Sequence, residues 1–152
     1  MKVIKLIVAT LLATIFSIIF GMITCGGYFS WIYEIEPTNV WKPIEQFSFP
    51  VYLVATLYVD FVFVLTYSLL SKSVPGQNML TRGISYGLIV WAVGIIPGMI
   101  STYLFMTVAK QVIIYWTIWG FVSYLFKGLI VSGIYSISKA PVKDETLKEE
   151  SC

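Results

Sequence analysis

Four long apolar runs divide the chain: about Leu6 to Cys25, Phe49 to Ser71, Ile84 to Val108 and Val112 to Ile137. Each is near or above the roughly 20 residues a helix needs to cross a hydrocarbon core about 30 Å thick. The pattern therefore predicts an all-α, integral membrane four-helix bundle. Residues 1–138 make up this four-span domain, and residues 139–152 form a polar tail of mixed charge. The breaks between runs differ in kind. Ala109–Gln111 is short, which predicts an antiparallel hairpin of the last two spans, while Val74-Pro75-Gly76 marks a turn between the second and third. The long connection is Gly26–Ser48.

Charge assigns a direction to the spans. Lys2, Lys5, Lys72, Arg82, Lys139, Lys143 and Lys148 fall on one side of the bundle, and only Lys42 and Lys110 on the other. Short loops rich in Lys and Arg stay cytoplasmic, so both termini are expected there, with Gly26–Ser48 external. The run behind Lys2 and Lys5 is longer than the 7–15 residues of a signal-peptide core. Thr24 also stands where a lipoprotein-type site at Cys25 would want Gly, Ala or Ser. An uncleaved first span is the expected reading, and the plasma or inner membrane of a prokaryote the expected location.

Composition narrows the function classes. Hydrophobic residues make up 58% of the 152 and charged residues 12%, against about 25% charged in a typical soluble domain. A soluble enzyme is excluded on this ground, and a net charge of +2, scattered along the chain, gives no footprint for nucleic acid. With no histidine, there is no His-ligated haem, His-containing zinc or copper site, nor Ser-His or Cys-His pair. The two cysteines, Cys25 and Cys152, form no CxxC. No cofactor, metal or catalytic residue is expected.

The external connection reads GGYFSWIYEIEPTNVWKPIEQFS. Its aromatic residues, Trp31 and Trp41 among them, suit the headgroup level, and predict a cap lying over the bundle at the outer interface. Thr38 or Asn39 is placed to cap a short helix ahead of Val40–Phe47, limited by Pro43. Alternation in Tyr33-Glu34-Ile35-Glu36 would put Glu34 and Glu36 on one face of an extended segment, a candidate acidic site for a cation. Tyr103, Tyr115, Trp116 and Trp119 read as an aromatic belt.

Two charges stand deep inside the spans. Asp60 is eleven residues from Phe49, and Lys127 fifteen from Val112, at the corresponding helix start. The offset is about 6 Å of helical rise, which a lysine side chain spans. Each isolated charge costs about 2.5–3.5 kcal/mol at that depth, so an intramembrane Asp60–Lys127 ion pair is expected. Thr56 and Tyr67 share a face with Asp60, as Gly120 and Ser123 do with Lys127, and suggest a polar seam. Gly94 and Gly98, four apart around Pro97, predict a close-packing face with a kink or hinge. Gly128, Ser132 and Ser136 form a second small-residue row.

These features favour a non-enzymatic accessory, assembly or scaffold subunit of a membrane complex. The alternative is a small oligomeric transporter or channel using Asp60 and Lys127. Expected partners are the lipid bilayer and either another protein or further copies of the chain, with no nucleic acid. The discriminating feature is polar continuity. A transporter needs a wet path from Glu34 and Glu36 past the pair to Lys72 and Arg82, whereas a scaffold needs a dry core and an exposed small-residue face.

Overall fold

The computed structural model describes residues 2–41 and 46–136, and among them the chain is all-helical. Helix α1 covers Lys2–Ile23, α2 Phe49–Leu70, α3 Met79–Val90, α4 Ile96–Phe105 and α5 Lys110–Ser136. A π-turn at Trp91–Ile95 joins α3 to α4. This gives four helical segments long and apolar enough to cross a membrane: Val3–Tyr28, Phe49–Leu70, Met79–Phe105 and Lys110–Ser136. Expectations about Lys42, Pro43, Glu45 and the tail beyond 136 lie outside the described residues.

The third segment begins five residues before the expected Ile84, because the local sequence builds its own start. The Asn78 side chain accepts from the Thr81 backbone N–H at 2.8 Å, and the Thr81 hydroxyl accepts from the Asn78 N–H at 3.2 Å. This reciprocal cap satisfies two otherwise orphaned donors. Just ahead, Gly76 adopts φ of 136°, and an added Cβ would stand 2.6 Å from the Arg82 nitrogen. The Pro-Gly turn therefore requires its glycine.

Helix α5 is central. It packs most closely on α3, and α1 lies against both α5 and α2. The α3–α5 contact is backbone on backbone: a Cβ on Gly128 would run into the Gly83 carbonyl, and one on Gly87 into the Tyr124 carbonyl. Small residues of this kind let membrane helices approach where no apolar-versus-water driving force exists. Below the contact, Ala9, Ala13, Val64, Tyr67, Tyr86 and Val131 form the core. Tyr86 ties α3 to α2 by donating to the Phe63 carbonyl at 2.6 Å.

The small-residue expectation needs correction at one place. Gly94 and Gly98 are not packing positions: a Cβ at either would have no neighbour within 4 Å. The packing pair is Gly83 and Gly87, in the same Gly-x-x-x-Gly spacing; Gly128 meets it from α5, while Gly120 packs on the Ile95 side chain of the π-turn. The π-turn supplies the reason. An extra residue per turn rotates everything after it by about 100°, so the face that carries Gly83 and Gly87 does not continue through Gly94 and Gly98. Pro97 explains the turn's position, since it lacks the N–H that would bond Val93, and the Ile96 N–H reaches back to Trp91 instead. From Trp91 to Phe105 no residue is buried.

Candidate functional site

Lys127 Nζ lies 3.0 Å from Asp60 Oδ1, with the two side chains 7% and 1% exposed. It is the one ion pair among the described residues. The second carboxylate oxygen, Oδ2, accepts from the Ser17 hydroxyl at 2.9 Å. Three helices thus meet at one carboxylate: α2 supplies it, α5 the cation and α1 the neutral donor. Aromatic faces complete the enclosure. The Lys127 ammonium stands 4.3 Å from the Tyr124 ring centroid and 5.6 Å from that of Phe63, within range of cation–π attraction.

Ser17 was not singled out in the sequence. The signal was its place in the row Ala9, Thr10, Ala13, Thr14 and Ser17, all buried, which marks the inward face of α1 by helical spacing. The seam expected around the pair is only partly assembled. Thr56 is half-buried and donates to the Tyr52 carbonyl of its own helix at 2.8 Å. It does not reach Asp60, because a threonine in a helix finds its nearest acceptor four residues back. Tyr67 and Ser123 are buried. The Tyr67 hydroxyl donates to Ser132 at 3.1 Å, and Ser132 to the Met79 carbonyl at 2.8 Å. Ser136 bonds its own helix backbone.

None of the five main cavities is lined by Asp60 or Lys127. One of about 450 Å³ opens beside Lys72 and Arg82 and reaches Tyr67 and Ser132. Another of about 380 Å³ lies between Cys25, Tyr52, Ile95 and Trp119, at the end nearer the Gly26–Ser48 loop. The charge pair lines neither of them.

The described part of the loop folds onto the end of α5. Ile32 is buried, Phe29 packs on Tyr115 with centroids 5.1 Å apart, and Tyr33 meets Trp41 edge-on at 5.2 Å. Trp116 Nε1 donates to the Tyr33 hydroxyl at 3.1 Å. Burial pushes the Tyr33 phenol from 10.0 up to about 12, with the Trp116 N–H acting in the opposite direction. Trp31 is 55% exposed, whereas Trp41 is held inside this cluster.

Three loop and belt expectations are therefore corrected. Trp116 and Trp119 are internal fasteners rather than belt residues: Trp119 Nε1 donates to Thr24 at 2.7 Å and its ring stacks on Phe20. Their indole N–H groups need acceptors, and the loop and α1 provide them. Only Tyr103, exposed and 5.8 Å below the Lys110 ammonium, retains a belt-like position. Next, Glu34 and Glu36 do not share an extended face, because Ser30–Glu34 is a 3₁₀ turn. Both are exposed, and Glu36 is occupied in accepting from the Thr38 backbone N–H at 3.1 Å. Finally, Thr38–Val40 is a single 3₁₀ turn with no side-chain cap, since the Thr38 hydroxyl faces Glu36.

Among the described residues no cluster of three or more acidic or cysteine side chains could hold a metal ion. The arrangement can fix helices and hold a charge out of solvent. Comparison with protein-family models, with curated proteins and with solved structures gives no match.

Proposed function

We propose that the protein is a non-enzymatic accessory, assembly or scaffold subunit of a membrane complex, spanning the plasma or inner membrane of a prokaryote with both termini cytoplasmic. One observation carries the reading: no residue of Trp91–Phe105 is fully buried, and Gly94 and Gly98 face open space. Two glycines on an unpacked helix face permit another helix to approach closely. Within the chain they perform no such role. The enclosed ion pair agrees with this reading, because a charge pair bounded by Ser17, Tyr124 and Phe63 fixes the register of three helices without needing water.

The test is purification in mild detergent from native membranes. Gly94→Leu with Gly98→Leu should leave the chain folded and remove the copurifying protein or second copy. Retention of the same companions by the folded variant would overturn the reading. The transporter reading is favoured by the cavity beside Lys72 and Arg82, which runs inward to Tyr67. It requires that cavity to extend to Asp60, and predicts ion or proton flux in reconstituted vesicles that Asp60→Asn with Lys127→Met abolishes.

A further inference from the structure

The cavity of about 450 Å³ between the end of α2, the start of α3 and the last turns of α5 has a lopsided donor inventory. Lys72 and Arg82 both line it, no carboxylate does, and neither cation has an ion-pair partner among the described residues. Arg82 is pinned rather than loose: its Nε donates to the Gly76 carbonyl at 3.1 Å, which leaves the two terminal nitrogens of the guanidinium to act elsewhere. Asn78 has spent its oxygen on Thr81, accepting from both the backbone N–H and the hydroxyl. Its NH₂ group is the end that remains.

The wall contributed by α5 adds a fourth donor side chain. Tyr135 lines the same cavity, and its hydroxyl is buried with no hydrogen-bond partner. Ser132 is already engaged, accepting from Tyr67 and donating to Met79. Two cations and no carboxylate on one wall call for a ligand rich in acceptors. The α3 N-terminus at the cavity edge adds its partial positive charge in the same direction.

We propose that this cavity binds a phosphate group, with Lys72 and Arg82 as its charged contacts and Asn78 and Tyr135 as neutral donors. Phosphate oxygens accept several charge-assisted hydrogen bonds at once, and a guanidinium with two free nitrogens matches them in a fork. Two sources carry this chemistry. Lys72 stands two residues beyond the end of one candidate span and Arg82 in the first turn of the next, at the level of lipid headgroups, and the cavity is also open to a soluble phosphate ester.

The experiment uses the full chain, delipidated in an uncharged detergent, with thermal stability read against added ligand. Phosphatidylglycerol, sn-glycerol 3-phosphate and, as a non-phosphate anion, oleate are the probes. Stabilisation by phosphatidylglycerol alone identifies a lipid headgroup. Equal stabilisation by glycerol 3-phosphate identifies a soluble ester. Either supports the site, whereas a response to neither, or an equal response to oleate, overturns it.

Lys72→Gln, an exposed change that disturbs no contact in the fold, and Arg82→Gln should each weaken the response about tenfold, the strength of a hydrogen bond to a charged group. Tyr135→Phe should weaken it a few-fold. Lys110→Gln, at the opposite end of the bundle, should leave it unchanged. If Lys110→Gln costs as much as Lys72→Gln, the attraction is general charge and not this cavity.

Discussion

Most buried polar side chains among the described residues have a specific partner, the exceptions being Thr14, Trp41 and Tyr135. Threonines at positions 10, 24, 56, 66, 102 and 117 donate to the carbonyl four residues earlier, an arrangement that leaves no hydroxyl facing hydrocarbon. Asp60 instead reaches across helices, with Lys127 and Ser17 dividing its two oxygens. Ser17→Ala should therefore lower stability in detergent by about 1 kcal/mol, the scale of interhelical hydrogen bonds in membrane bundles. A calorimetric or tryptophan-fluorescence melt measures it, and an unchanged Tm would remove Ser17 from the site. Tyr33 gives a pH signature at the cap. Its phenol is neutral in the fold up to about 12, against 10.0 when exposed. Its stabilising contribution is thus complete below pH 10 and is lost as pH rises from 10 to 12. Trp fluorescence should report loosening of the cap in that window, and Tyr33→Phe should remove the dependence. The acidic and basic partners of the central pair were legible in the sequence because charges at matched depth have few other ways to be accommodated. Ser17 was not, since a serine in a span reads the same whether it bonds its own helix or a neighbour.

At the scale of the helix, the glycine rows separate what packs within the chain from what is left open. Gly83, Gly87 and Gly128 bring α3 and α5 into backbone contact. Alanine at any of them forces the helices apart and should cost about 1–3 kcal/mol, as overpacking does. Alanine at Gly94 or Gly98 meets nothing and should change the stability of the isolated chain by no more than about 0.5 kcal/mol. Parallel thermal melts of the five alanine variants decide it; equal losses across both rows would contradict the packing described here. The spacing of Gly94 and Gly98 was visible in sequence, but its direction was not. Helical phase is set by the π-turn at Trp91–Ile95, and one inserted residue per turn cannot be counted from composition. The span limits were easier to read, as apolar length alone fixes them. The Asn78 cap, by contrast, lengthened the third helix through polar residues that resemble a loop.

Across the whole molecule, the close contacts lie at the α3–α5 crossing and the capped end of α5, while the α4 portion stands open. This distribution suits a chain that completes its packing against something else. The direction of insertion rests on the seven-to-two division of Lys and Arg. In a Cys25→Ser background, Cys152 and Thr38→Cys should label from opposite sides of sealed vesicles; labelling from one side would reverse or remove a span. Everything proposed for the bundle turns on the pair that joins α2 to α5. The direct measurement is a double-mutant cycle read by thermal stability in detergent. Asp60→Asn and Lys127→Met should each cost about 3–5 kcal/mol, because either leaves a buried charge unpaired. The double variant should recover much of that loss. If the two losses simply add, the residues do not interact, and the account of the bundle fails with them.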